Sequence, residues 1–136
     1  MIQIFADGGS RGNPGHAAYG FVVKKDGKTL KESGGYIGIG TNNFAEYTAV
    51  IEALRYLSHN FKGESLEFSL DSLLVVHQAN GIYKVKNANI RQLMFKIREL
   101  ETDFKSVSFK HIPRERNHEA DKQVNLALDQ HIYGSH

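Results

Sequence analysis

Asp26-Gly27 lies between two strand-like runs, Ala17 to Lys25 and Lys28 to Ile37. No other feature constrains the fold as tightly. Asp-Gly suits a two-residue hairpin loop, because both central residues of such a turn take positive φ. The two runs are therefore antiparallel neighbours. A third run, Ile2-Gln3-Ile4-Phe5-Ala6, precedes them and ends at Asp7, just before Gly8-Gly9. The N-terminal third thus reads as a three-strand meander. The period then changes. Tyr47, Val50, Ile51, Leu54, Leu57 and Phe61 recur at helical spacing, and Thr41, Asn42 or Asn43 can cap that helix. Residues 65–71 read as a fourth strand, 72–80 as a short helix stopped near Asn80-Gly81, and 88–102 as a longer helix. Val107, Phe109 and His111 alternate as a fifth strand that Pro113 closes, and 117–132 form the last helix. The expected class is α/β: a five-stranded mixed sheet in the order βββαβαβα, its second helical position split in two, with helices packed on it. Residues 1–132 read as a single domain and 133–136 as a frayed end or cloning remnant.

Composition removes several classes of function. Hydrophobic residues are 40% of the 136, enough to bury a core, so the chain is not a disordered one. Its apolar runs are too short to span a bilayer, and no basic stretch followed by an apolar one marks a secretory leader. Zero cysteines exclude disulfides and thiolate metal sites, and a cytoplasmic location is expected. The formal net charge is only +2, so placement of charge matters more than its sum. Basic residues group at Lys84, Lys86, Arg91, Lys96 and Arg98, and again at Lys110, Arg114 and Arg116. Acids set within a basic surround suit a polyanion held near metal ions.

Four acids stand where the pattern changes. Asp7 and Asp71 end strand-like runs, Glu46 lies in the first turn of a helical pattern, and Asp121 opens the last one. If the first and fourth strands are parallel neighbours, Asp7 and Asp71 share the carboxyl edge where α/β sheets bind ligands. Glu46 precedes Val50 by four residues and Asp121 precedes Val124 by three, so both border the inward stripe of their helices. An inward acid is costly unless paired or bound to metal. A single acid at an element end is ordinarily a solvated cap; four together point to a divalent-metal pocket. His111, alternating with Phe109, reads as a structural histidine, and His118-Glu119 lacks the second histidine of a zinc protease.

The segments around these acids resemble the signatures of type 1 ribonuclease H, in order and across nearly the whole chain. They are Asp7-Gly8-Gly9-Ser10-Arg11-Gly12-Asn13-Pro14-Gly15, then Thr41-Asn42-Asn43-Phe44-Ala45-Glu46, then Leu70-Asp71-Ser72. The last is Pro113-Arg114-Glu115-Arg116-Asn117-His118-Glu119-Ala120-Asp121. The resemblance implies the ribonuclease H fold and cleavage of the RNA strand in RNA–DNA hybrids. It makes Asp7, Glu46, Asp71 and Asp121 the catalytic, metal-binding carboxylates. Asn13, Asn42 and Asn43 become contacts to the hybrid near the scissile site, Thr41 a phosphate contact and Ser10 a backbone contact near the minor groove. It also implies Mg²⁺, with Mn²⁺ as substitute, and two ions per site with substrate bound. Ions ~3.5–4 Å apart bind the attacking and leaving oxygens of an in-line displacement, here with Asp7 bridging, Asp71 and Glu46 on one ion and Asp121 on the other. Products would carry 5′-phosphate and 3′-hydroxyl ends. Asn side chains both donate and accept hydrogen bonds, which suits a sensor of the 2′-hydroxyl.

Three departures from that family's pattern stand out, and the first makes the chain resemble its compact branch. Gly81-Ile82-Tyr83-Lys84-Val85-Lys86-Asn87 replaces the basic handle of the best-known bacterial members, with Tyr83, Lys84 and Lys86 able to grip the DNA strand. The mobile loop before the last acid is short, reads Ile112-Pro113-Arg114-Glu115-Arg116, and lacks the usual Gly-His; Arg114 is the candidate for product release. Leu73 stands where a glutamine is common. Handle-less relatives sometimes accept double-stranded RNA, so that is an expected side activity. The competing reading is a catalytically weak hybrid-binding module of the same fold. The expected partner is a hybrid duplex, with no membrane and no obligate protein partner, the protein acting as a monomer.

Overall fold

The Asp26-Gly27 turn forms as the sequence requires. In the computed structural model, which describes residues 1–134, Asp26 and Gly27 take φ of 52° and 78°, and Lys25 pairs with Lys28 across them. The turn joins β2 (Gly15–Lys25) to β3 (Lys28–Gly40). β1 (Ile2–Gly12) pairs antiparallel with β2 through a second tight turn, in which Gly12 faces Gly15 and the Asn13-Pro14 bond is cis. β4 (Ser65–Leu70) joins β1 in parallel, and β5 (Ser106–His111) joins β4 in parallel. The sheet order is β3-β2-β1-β4-β5, a mixed five-stranded sheet as expected.

Helices cover both faces. α1 (Asn42–Asn60) lies on one face, with α2 (Leu73–Ala79) and α3 (Ala88–Glu101) beside it. Ile4, Ala6 and Phe68 from the sheet meet Tyr47, Val50, Leu54 and Leu57 of α1 in that core. Ala45, Ala49 and Ala53 are also fully buried, so α1 is sandwiched between sheet and α3. α4 (His118–Tyr133) covers the other face, where Val124 and Leu128 pack on Ala18. α4 runs one residue past the expected boundary, so Tyr133 belongs to the helix; residues 135–136 of the expected tail lie outside the described residues. Of the three cap candidates, Thr41 does the capping: its Oγ1 accepts from Phe44 N at 3.1 Å. His111 is solvent-exposed at the end of β5, not the satisfied structural histidine its alternation suggests.

Between α2 and α3 there is only a short connection. Its turn is held by Ile82 N and Tyr83 N on the His77 carbonyl, at 2.8 and 3.2 Å. Tyr83 also meets the His77 ring edge-on, centroids 4.7 Å apart. This is the compact form, without a protruding handle. Part of the basic grouping is tied up within the fold, since Lys110 pairs with Glu67 at 3.1 Å and Arg98 with Glu101 at 3.0 Å. Among the described residues no helix is long and apolar enough to cross a membrane.

Candidate metal centre and nucleic-acid cleft

Asp7 does not end its strand. β1 continues five residues beyond it, to Gly12. What ends near Asp7 is the parallel ladder to β4, whose last pair is Phe5 with Ser69. Continuing that register by two residues sets Asp71, just past the end of β4, opposite Asp7. The two acids therefore share a face and an edge, because side chains alternate along a strand.

Two glycines bring the helical acids to this edge. A Cβ on Gly8 would lie 2.1 Å from the Ala45 carbonyl carbon and 2.3 Å from Glu46 N, so only glycine lets the α1 backbone rest on β1 there. That contact delivers Glu46, which begins the second turn of α1 rather than lying in its first. Gly20 pairs with Asp7 across β1 and β2. A Cβ on it would meet Ala120 O at 2.5 Å and Val124 N at 2.9 Å, so α4 seats on β2 there and carries Asp121 toward Asp7. Gly8 is filled by a helix, and a Cβ on Gly9 would simply touch Val124 at 3.6 Å.

The result is a carboxylate cluster. Asp7, Glu46 and Asp71 each present an oxygen within 4.8 Å of the others. Asp121 lines the same cleft of about 490 Å³, where its charge acts on Asp7. Asp7 and Glu46 are buried. Burial first, then the negative charge of Asp71, pushes the Asp7 carboxyl up to about 7. Burial, followed by the charges of Asp7 and Asp71, raises Glu46 well above the usual carboxylate range. Glu46 Oε2 is buried with no hydrogen-bond partner. Such an oxygen calls for a proton or a cation. A set of hard carboxylate oxygens with one of them orphaned fits Mg²⁺ or a similar divalent ion.

The other expected residues divide between two adjoining hollows. Ser10, Asn42, Asn43 and Arg114 line the acidic cleft, while Asn13 and Thr41 line a second hollow of about 540 Å³ that also includes Asn42 and Asn43. Asn42 ties the β1–β2 turn to the start of α1. Its Oδ1 accepts from Ser10 N at 2.9 Å and Ser10 Oγ at 3.1 Å, and its own backbone N–H donates to Asn13 Oδ1 at 3.1 Å. Sequence reasoning assigned no role to Arg11, Asn117 or Asn125. Arg11 pairs with Asp129 at 2.7 Å and donates to Asn125 Oδ1 at 3.3 Å, and Asn125 Nδ2 donates to Asp121 Oδ2 at 3.3 Å. Helical spacing of 121, 125 and 129 was the available signal. Asn117 is buried and donates to Asp71; only its place in the fourth signature hinted at it.

Comparison with known proteins agrees with this architecture. A family model described as reverse transcriptase-like matches residues 5–127. Ribonuclease HI of Halobacterium salinarum is 42% identical over 94% of this chain, which spans 64% of that protein. The bifunctional protein Rv2228c of Mycobacterium tuberculosis is also 42% identical, but this chain spans only 35% of it. Among solved structures, LC11-RNase H1, isolated from compost by a metagenomic approach, superposes with a TM-score of 0.94 at 42% identity. That match covers 97% of this chain and 99% of the other, and the structure is a complex with an RNA/DNA hybrid. RNase H1 from Halobacterium salinarum gives a TM-score of 0.90 at 41% identity, covering 95% and 98%. With its matched span, its sheet order and its carboxylate cluster, the chain belongs to the reverse transcriptase-like family and, within it, to the type 1 ribonucleases H.

Proposed function

We propose that residues 1–132 act as one monomeric, cytoplasmic ribonuclease H domain that hydrolyses the RNA strand of RNA–DNA hybrids. The observation that carries this is the three-carboxylate cluster, Asp7 and Glu46 buried and Asp71 half-buried, with oxygens within 4.8 Å and Glu46 Oε2 orphaned, in a cleft edged by Asn42, Asn43 and Arg114. The hybrid bound by LC11-RNase H1 supports the substrate. Asp7, Glu46, Asp71 and Asp121 would hold two Mg²⁺ or Mn²⁺ ions. When bound, these supply Lewis-acid activation of water and stabilisation of the departing 3′ oxygen, which gives 5′-phosphate and 3′-hydroxyl products.

The chain's own groups do the rest. Without metal, burial and mutual repulsion raise the proton affinity of Asp7, up to about 7, and that of Glu46, so binding of the ions releases protons and weakens as pH falls. Among the described residues no histidine lines the cleft, so no imidazole is at hand there to serve as a general base. The Asn42 and Asn13 carbonyl oxygens already accept protein hydrogens. Their NH₂ groups are thus turned to the substrate, where Asn13, Asn42 and Asn43 read base edges and the 2′-hydroxyl. Ser10 holds Asn42 in that orientation, and Thr41, while capping α1, faces a phosphate from the second hollow.

The deciding experiment offers labelled hybrid, double-stranded RNA and double-stranded DNA with Mg²⁺, Mn²⁺ or EDTA. Hybrid should be cut with either metal and not with EDTA, and double-stranded RNA more slowly. Tight hybrid binding without metal-dependent cutting would instead make this a binding module and reject the proposal. Arg114, exposed on the rim of the cleft, is assigned to the leaving phosphate. Arg114→Ala should lower kcat about tenfold, on the order of one charge-assisted contact, with KM little changed. A larger effect on KM than on kcat would move Arg114 from product release to substrate binding.

A further inference from the structure

Asn117 has no part in the chemistry described so far, yet it is 1% exposed at the start of α4. Its side chain caps nothing. Instead Nδ2 donates to the Ala6 carbonyl at 2.9 Å and to Asp71 Oδ2 at 3.0 Å. An amide nitrogen has two hydrogens, and both are used. The orientation of the amide follows from this, since a flip would set its carbonyl against two acceptors. The backbone carbonyl of Asn117 also accepts from Asp121 N at 3.0 Å. One residue thus joins the β1 backbone beside Asp7, the Asp71 carboxylate and the turn that carries Asp121. Its Oδ1 stays buried without a partner. A residue kept only to start a helix would cap it with a short side chain and leave no orphan.

We propose that Asn117 is a positioning residue for the metal centre. It holds one Asp71 oxygen so that the other faces the ion, and it sets Asp71 against the strand of Asp7. Ligands of a metal are oriented by hydrogen-bonding partners in this way, and losing such a partner costs about 10- to 100-fold in metal affinity. The inference rests on the acids holding metal as proposed above.

The test measures Mn²⁺ affinity by titration calorimetry for the unsubstituted protein, Asn117→Ala, Asp71→Ala and the double variant, with circular dichroism to check folding. Asn117→Ala should bind Mn²⁺ about tenfold or more weakly, while adding it to Asp71→Ala should change affinity less than about twofold, because the effect runs through Asp71. Equal losses in both backgrounds would mean a merely structural role and overturn the assignment. Should Asn117→Ala not fold, the side-chain NH₂ protons of Asn117, read by NMR in the otherwise native protein, decide the matter. They should exchange slowly and lose protection about tenfold in Asp71→Ala; signals unmoved by that substitution would overturn the proposal. A failure of the functional reading is distinct, because the unsubstituted protein would then neither bind Mn²⁺ nor cut hybrid.

Discussion

Asp7→Asn should abolish hybrid cleavage, by at least about 10³-fold, and at the same time make the metal-free protein more stable. Both effects come from one arrangement. Asp7 is 5% exposed, faces Asp71 and Glu46, and titrates near 7 instead of at its ordinary 3.8. Between these values the native state holds a proton that the unfolded chain has released. The stability this group contributes is therefore fully present below about pH 4 and is lost as pH rises through 7. At about 1.4 kcal/mol per pH unit the penalty at pH 8 is of order 4 kcal/mol. A neutral amide of the same shape escapes most of it. Denaturant melts at pH 8 in EDTA should show Asp7→Asn more stable by about 2–4 kcal/mol, the advantage shrinking at pH 4. Millimolar Mg²⁺ should raise the stability of the unsubstituted protein and hardly that of the variant, since only a site intact in the native state gains from the ion. A folded Asp7→Asn protein that still cuts hybrid would remove Asp7 from the bridging role. Equal metal-free stability at pH 8 would deny the charge repulsion itself.

Gly8→Ala should destabilise the fold by about 3 kcal/mol or more, beyond the middle of the range for overpacking, and lower Tm by roughly 10 °C. The added methyl would fall 2.1 to 2.3 Å from the α1 backbone, and backbone cannot rotate aside as a side chain can. The helix must lift, and Glu46 moves away from Asp7 with it, so cleavage should fall together with stability. The neighbouring substitution is the control. Gly9→Ala faces only the Val124 side chain, at 3.6 Å, an ordinary contact, and should stay within about 0.5 kcal/mol of the starting protein. Thermal melts of the pair decide it; indistinguishable Tm values would show that α1 does not depend on Gly8 for its seat.

The meander, the long helices and the order of elements are legible in the sequence because each is written in local terms. Asp26-Gly27 states its own turn chemistry, and Tyr47 to Leu57 and Val124 to Leu128 state their own period. Boundaries follow less well. Gly8-Gly9 reads as the end of a strand, yet β1 continues to Gly12, because pairing with β2 outweighs the weak strand preference of glycine. Glycines in a strand can mean a turn, a ligand or a neighbouring backbone, and only the packed helices show that Gly8 and Gly20 answer to the last of these.

The candidate site divides along the same line. Its acids are nameable from position, since Asp71 follows a strand-like run and Glu46 and Asp121 border inward helical stripes, although Asp7 lies within β1 and not at its end. What holds them is not periodic. Asn117 reaches Ala6 across 111 residues and Asp71 across 46, and Ser10 meets Asn42 across 32. The sequence by itself determined the order of strands and helices and the meander, set by short-range rules of turn, alternation and pitch, and it singled out four acids by their position and by the signatures around them. Only the tertiary structure decided that Asp7 and Glu46 are buried with raised proton affinity and that Asn117 braces Asp71. Burial and side-chain hydrogen bonds between distant segments come into being only when sheet and helices close on one another.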